Sequence, residues 1–274
     1  MKAGIIIVNY NSRPYLEACL NALLRKTPPP FEVIIVDNAS SDDSISYLKG
    51  LRDTRIQIIL NPTNIGFAAA CNQGLKMSDS DLLVTMNPDV IVPHDWLPRL
   101  AWHLKHNEKA LIIGPKSKGI GGRQWAGPLP SSGGLESADK KISRLYSLRS
   151  ERAKFLIGCL LFFDRRLPET IGYFDEQLIL GADDFDLSLR VRKAGYELRV
   201  AKDLLIHHTI HGSFYRSDPQ ENKRMEKASY EHFQRKWRKE LKEYGWERLF
   251  HDCRPVFAGE KPFKPYTLMR GSAQ

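Results

Sequence analysis

Residues 4–37 read GIIIVNYNSRPYLEACLNALLRKTPPPFEVIIVD. Two unbroken apolar runs, residues 5–8 and 33–36, flank a segment from 15 to 26 whose apolar residues return at helical spacing. Continuous hydrophobicity, as opposed to alternation, marks strands buried on both faces, and a helix between two such strands makes a βαβ unit. Pro28, Pro29 and Pro30 end the helix. Both runs close on polar residues: Asn9, Tyr10, Asn11 and Ser12 after the first, Asp37, Asn38, Ala39, Ser40 and Ser41 after the second.

Outward from this unit the alternation continues. Asp42, Asp43 and Ser44 open a second helix over ISYLKGLRD, with acidic residues where a helix N-terminus favours them. The run RIQIIL predicts a third strand, NPTNIGF a turn, AAACNQGLKMS a helix of small residues, and DLLVTMNPDV a fourth strand with a polar end. Strands alternating with helices predict an α/β fold with a mostly parallel, Rossmann-like central sheet and helices on both faces. Residues 116–138 are dense in Gly, Ser and Pro without an apolar period, which predicts a long mobile loop. Order returns with FLIGCLLFF, with a helix through Leu187, Leu189 and Val191 stopped at Gly195, and with a strand DLLIHH. From 221 to 250 a basic helical segment carries Tyr230, Phe233, Trp237 and Leu241 as a stripe. The expected division is a catalytic domain over 1–215, comprising a nucleotide-binding half (1–115), a mobile loop (116–150) and an acceptor half (151–215). A basic helical extension (216–255) and a polar tail (256–274) follow.

The chain has 274 residues, 42% of them apolar, enough for a sizeable buried core. No stretch approaches the roughly 20 apolar residues of a spanning helix, and the N-terminal run is too short for a signal sequence, so a soluble, cytoplasmic protein is expected. Cys19, Cys71, Cys159 and Cys253 lack metal or redox spacing, and Cys159 lies in an apolar run, which suggests a buried thiol. Forty-one Lys and Arg against 32 Asp and Glu give a formal charge of +9, favouring an anionic partner.

In open parallel sheets ligands bind beyond the carboxyl ends of the strands, where the polar residues cluster here. Asp37 reads equally as a carboxylate for base or ribose hydrogen bonds and as a loop cap. Asn64, Gly66 and Phe67 precede the small-residue helix, whose first amides would suit a phosphate. Asp89, in Asn87-Pro88-Asp89, ends a buried run and is costly there without a cation or donors, although turn chemistry alone also explains it. Asp183, Asp184 and Asp186 crowd one helix start; the helix dipole explains part of this, and crowding also raises a carboxyl pKa toward that of a general base. His207, His208 and His211 lie just past a strand, where one would complete a metal site.

Taken in order, IIIVNYNS, VIIVDNASSDDS, NPTNIGFAAACNQG, LVTMNPDV, IGYFDEQLILGADDFDLSLRVRKAGY and IHHTIHGSF resemble family 2 glycosyltransferases of the GT-A fold, in particular the bacterial rhamnosyltransferase-like branch. The resemblance covers residues 4–250. It implies an inverting transfer of a hexose, rhamnose among them, from a dTDP-, UDP- or GDP-sugar to a hydroxyl of a saccharide or lipid-linked saccharide, in cell-surface polysaccharide or glycolipid synthesis. By the same resemblance Asn9, Asn11, Asp37, Asn38, Asn64, Gly66, Phe67, Asn72 and Asn87 fall on the nucleotide site. Asp89 and His208 fall on the ligands of a divalent cation, magnesium or manganese. Asp184 falls on the catalytic base, with Asp183 in place of the usual Glu and Asp186 as a supporting residue. The extension at 222–250 has two readings, a helix packed on the domain or one lying against an anionic membrane. Two rival functions are a nucleic-acid-binding α/β module, suggested by the charge, and a sugar-nucleotide nucleotidyltransferase, for which no Gly-rich basic phosphate loop follows strand one.

Overall fold

A computed structural model describes residues 1–118, 120–127, 134–209 and 219–250. In chain order the first half runs β1 (Ala3–Asn9), α1 (Arg13–Lys26), β2 (Phe31–Asp37), α2 (Ser44–Gly50), β3 (Ile56–Leu60), α3 (Phe67–Met77), β4 (Leu82–Met86), β5 (Val90–Ile91), α4 (Trp96–Lys105) and β6 (Ala110–Ser117). The second half runs α5 (Gly134–Tyr146), β7 (Ser150–Ala153), β8 (Leu160–Asp164), α6 (Arg166–Ile171), α7 (Asp183–Lys193), β9 (Glu197–His208), α8 (Pro219–Lys236) and α9 (Arg238–Phe250). The sheet order is β3-β2-β1-β4-β8-β6-β9-β5, with β7 paired to β9. Strands β3, β2, β1 and β4 are parallel, as the alternating pattern predicts. β8 runs antiparallel between β4 and β6.

Side chains alternate across a strand, so each central strand feeds two cores. Ile5, Ile7, Val33, Ile35 and Val84 pack with Leu16, Leu20 and Leu23 of α1 and with Trp96 and Leu100 of α4. Ile6, Val8, Ile34, Val36 and Leu83 face the other way, against Cys71 and Leu75 of α3 and Leu187 and Val191 of α7. Helix α3 sits close because Gly74 lacks a side chain; a Cβ there would lie 2.5 Å from Ile6. A third cluster joins Phe155 and Phe185 to Phe233, Trp237, Leu249 and Phe250, so the stripe on the extension packs inward against α7. The extension is two helices; Lys236 and Arg238 bracket the break, and Gly245 adopts φ +67 inside α9.

Three expectations change. The mobile loop at 116–150 is largely ordered structure among the described residues. Lys116 and Ser117 belong to β6, a short 3-10 turn spans Gly122–Gln124, and α5 begins at Gly134. Helix α5 escaped the apolar reading because a polar anchor holds it. Asp139 is buried and takes the guanidinium of Arg99 at 2.8 Å and the amide of Leu205 at 2.9 Å. The fourth strand does not continue through Asn87-Pro88-Asp89. β4 stops at Met86, the chain turns with Val90 N–H donating to Asn87 O, and β5 then pairs antiparallel with the end of β9. Helix α2 stops at Gly50, three residues before the end of the predicted run, with Leu51 extended. Cys19, Cys71 and Cys159 are buried free thiols. Cys253, His211 and the tail 256–274 lie outside the described residues. Among the described residues no helix is long and apolar enough to cross a membrane.

Candidate active site

Parallel register sets the rim: Asn9 of β1 lies opposite Asp37 of β2, so both loops leave the sheet together. Both of these side chains are fully buried and bind each other. Asp37 Oδ2 accepts from Asn9 Nδ2 and from Ser40 Oγ, each at 2.7 Å, and its Oδ1 takes the Ser40 amide at 2.9 Å. Asn11 Oδ1 accepts the Ser41 amide at 2.7 Å. These three residues build the loops. Asn38 goes further, since its Nδ2 donates to Asn64 Oδ1 at 2.7 Å while its Oδ1 accepts the Ile65 amide at 3.1 Å. It thereby ties the β2 loop to the turn before α3. In that turn Gly66 has φ +87, and a Cβ on it would come within 2.9 Å of Ile179. Phe67 N–H donates to Ile179 O at 3.0 Å, so this turn rests against the loop leading to α7.

Between them lies a cavity of about 270 Å³. Asn38, Asn64, Gly66, Phe67, Asn87, Asp183, Asp184 and His208 all border it. Asn9, Asn11, Asp37, Asn72, Asp89 and Asp186 do not. Asn72 is spent elsewhere: it donates to Phe174 O at 2.9 Å and accepts the Phe174 amide at 3.0 Å. Asp186 is fully buried between Arg190, Trp237 and Lys236. The cavity also takes in Tyr10, Gly158, Cys159 and, from the first turns of α8, Asn222 and Met225. Tyr10 belongs to the polar run that the sequence marks after β1, and Gly158 and Cys159 lie inside the apolar run FLIGCLLFF, whereas Asn222 and Met225 carry no local signal.

Asp184 stands at the start of α7, after Ala182 in the left-handed region at φ +64, a conformation that costs a non-glycine residue roughly 1 kcal/mol or more. Its Oδ2 accepts the Gly158 amide at 3.2 Å and its Oδ1 the Phe185 amide at 2.8 Å. Burial lifts the carboxyls of both Asp183 and Asp184 well above the usual carboxylate range, and the charge of Asp184 lifts Asp183 further. Burial, with the charge of Asp184 adding to it, also raises the phenol of nearby Tyr230. A carboxylate lifted toward neutrality is suited to accept a proton at pH 7.

The turn at Asn87-Pro88-Asp89 places a second group. Pairing of β5 with β9 sets Val90 opposite His208, which brings Asp89 Oδ1 within 3.3 Å of His208 Nε2. No hydrogen bond satisfies that oxygen, although Asp89 is buried. Asn87 Nδ2 stands 3.4 Å from the same ring nitrogen. An orphaned carboxylate oxygen beside an imidazole nitrogen suits a divalent cation, which lends the pair the charge that neither supplies to the other. Among the described residues no group of three or more His, Cys, Asp or Glu converges. The two residues thus fit a cation that takes its remaining ligands from phosphate oxygens and water, as magnesium usually does. His207 is exposed, with Nε2 at 3.2 Å from Thr209 Oγ1.

The family model described as glycosyl transferase family 2 matches residues 4–172, which is more than half of the chain. The chain belongs to glycosyl transferase family 2. Within this family it is 26% identical over 261 residues to the uncharacterized glycosyltransferase YfnE of Bacillus subtilis, covering 78% of this chain and 66% of that one. It is 27% identical over 141 residues to an uncharacterized glycosyltransferase of Haemophilus influenzae, covering 46% of this chain and 44% of that one. The chain therefore spans less than two thirds of either relative. Its fold is that of solved GT-A glycosyltransferases. It resembles GalNAc-T7 in complex with UDP, GalNAc and Mn2+ at TM-score 0.65 and 18% identity, covering 90% of this chain and 50% of that one. It resembles S. aureus TarS in complex with UDP-GlcNAc at TM-score 0.58 and 18% identity, covering 88% and 74%.

Proposed function

We propose that this chain transfers a sugar from a nucleotide diphosphate donor to an acceptor hydroxyl, with inversion and with the help of a divalent cation. The observation that carries the reading is the shared cavity. Asp184, a buried carboxylate with a raised pKa, borders the same space as Asn38, Asn64, Asn87 and His208. A nucleotide sugar in the structure of one fold neighbour, UDP-GlcNAc, and UDP and GalNAc in that of another support a donor of this class.

Donor binding falls to the rim. The turn at 64–67, held by Asn38, offers the ring of Phe67, and Asn64 and Asn87 offer side-chain amides. Asp89 and His208 would hold the cation, which when bound neutralises the diphosphate leaving group. Asp184 Oδ2 takes the proton from the attacking hydroxyl, while the Gly158 and Phe185 amides keep the carboxylate oriented. Asp183, kept protonated by burial and by the charge of Asp184, stands beside the base without adding a charge of its own. With Asp183 held in its protonated form, we read Asp184 as the single base of one displacement, and one displacement inverts the anomeric centre. Asn222 and Met225 of α8 close the cavity and help to exclude water, which would otherwise hydrolyse the donor. For the donor we favour a dTDP-linked rhamnose, on the strength of the sequence motifs, and for the pathway cell-surface polysaccharide or glycolipid synthesis.

The test is a thermal-shift screen of UDP-, dTDP- and GDP-sugars with and without Mn2+, followed by transfer assays on Asp184→Asn. The parent should be stabilised by one nucleotide class, chiefly with metal present. The variant should keep that stabilisation and lose transfer. Loss of both would reassign Asp184 to the donor site, and generic oligonucleotide binding without any nucleotide-sugar effect would overturn the reading.

A further inference from the structure

A second cavity of about 320 Å³ lies between β6, β7, β9, α5 and the segment 125–127, within the usual size range of small-ligand sites. It shares no bordering residue with the cavity that holds Asp184. Among the described residues three lysines border it, Lys116, Lys141 and Lys202, with Trp125, Tyr146 and a single acidic residue, Glu151.

That carboxylate is already neutralised. Its Oε1 lies 3.1 Å from Lys116 and its Oε2 3.1 Å from Arg123. Burial pushes Glu151 up, yet Lys116, Lys202 and Arg123 together hold it below its ordinary range, a sign of net positive potential. Lys202 lies over the ring of Tyr146, 4.7 Å from its centroid. Among the described residues no carboxylate lies within ion-pair distance of Lys202 or Lys141. The cavity thus carries surplus cationic charge beside two aromatic side chains.

Its wall is built firmly. Lys116 Nζ donates to the Arg123 carbonyl and to Glu151, and Ala126 N–H donates to Ser117 O at 3.0 Å, which fixes the turn carrying Trp125. The preceding residue, Gln124, is buried and accepts the Ile157 amide at 2.6 Å through Oε1. Ile157 borders the other cavity. Through Gln124 the turn carrying Trp125 is thus hydrogen-bonded to the wall of the other cavity.

We propose that this second cavity binds an acidic saccharide, a sugar ring bearing a carboxylate or phosphate. Lys141 and Lys202 meet the anion, while Trp125, Tyr146 and Ile142 supply apolar surface that a bare inorganic ion would leave unused. An acidic unit of a saccharide acceptor would be one such ligand; that use rests on the transfer reading, whereas binding itself does not.

Isothermal titration of the full chain with glucuronic acid, glucose 6-phosphate, glucose and inorganic phosphate tests this. Either acidic sugar should bind saturably, at least about tenfold more tightly than glucose. The tighter of the two names the acidic group. The exposed single variant Lys141→Glu and the double variant Lys141→Ala with Lys202→Ala should each weaken binding by about tenfold or more. Asp184→Asn should leave it unchanged. Equal binding of glucose, or of inorganic phosphate, overturns the proposal, as does parent-like affinity in both Lys variants. Acidic sugars that fail to bind while a nucleotide sugar still stabilises the chain overturn this inference alone. Acidic sugars that bind without any nucleotide-sugar effect leave it standing and count against the transfer reading.

Discussion

Trp237, at the break between α8 and α9, donates its indole N–H to Asp186 of α7 at 2.8 Å, inside the third hydrophobic cluster. The other oxygen of Asp186 takes Arg190 Nε at 2.8 Å, and Lys236 Nζ lies 2.7 Å from the first. One buried carboxylate thus joins the helix that begins with Asp183 and Asp184 to the C-terminal extension. Removing it leaves the buried indole without its acceptor and takes the carboxylate from the partly buried Arg190 guanidinium, which keeps the Ile171 and Gly172 carbonyls. Asp186→Ala should lower unfolding free energy in urea by about 3 kcal/mol, and Trp237→Phe by about 1.5 kcal/mol. If Asp186→Ala unfolded like the parent and lost transfer outright, the residue would belong to the chemistry.

Asp183 gives a pH signature. Its folded pKa stands above the ordinary 3.8, because of burial and then the charge of Asp184. Below its unfolded pKa both states hold the proton and nothing is lost. As pH rises from there through the folded pKa, the unfolded chain ionises freely while the folded one must keep the proton or bear a buried charge, so stability falls. Asp183→Asn removes that loss. The melting temperature of the variant minus that of the parent should grow between pH 5 and pH 8; a constant gap would show that Asp183 ionises normally.

Asp184 should set the rate in the same range with the opposite sense. Its carboxylate is the working form, so transfer by the parent should rise with pH through the neutral region. Asp184→Asn should cut kcat by about a hundredfold to ten thousandfold, the usual worth of a positioned base. A flat pH profile in the parent would point to another base.

Asn72 separates positioning from binding. Two of its hydrogen bonds hold the backbone of Phe174, and a third goes to Glu176 at 2.9 Å. With the side chain buried, Asn72→Ala should destabilise by about 2 kcal/mol. The affinity for the nucleotide, measured below the melting range, should stay within about threefold, since a contact the ligand never makes carries no binding energy. A larger loss would return Asn72 to the nucleotide site.

These cases show what a sequence can disclose. The runs at 5–8 and 33–36 announced buried strands because burial on both faces leaves no room for polar residues. Asp37 announced a rim, but its side chain turned out to hold Ser40 and Asn9, since a carboxylate at a strand end finds local donors first. The meeting of Asp89 with His208 depends on β5 pairing with a strand more than a hundred residues later, a long-range register that no local pattern encodes. Asn222 and Met225 were invisible for the same reason: they reach the cavity because α8 docks on residues far back in the chain, through Ser229 on Leu180, His232 on Asp175 and Phe233 on Phe185. Helix α5 was hidden by chemistry, being anchored through an ion pair where an apolar stripe was sought.

The reversed direction of β8 has one further effect. In a sheet of uniform polarity the residues leading into a strand emerge on the far side, away from the loops that follow its neighbours. Because β8 opposes β4, its lead-in arrives beside the exit of β4, with Asn87 N–H donating to Cys159 O at 2.9 Å. Entrances and exits of the chain therefore share one mouth. Ile157, Gly158 and Cys159 stand on that mouth, while Phe155 and Leu156 beside them root it in the two cores below.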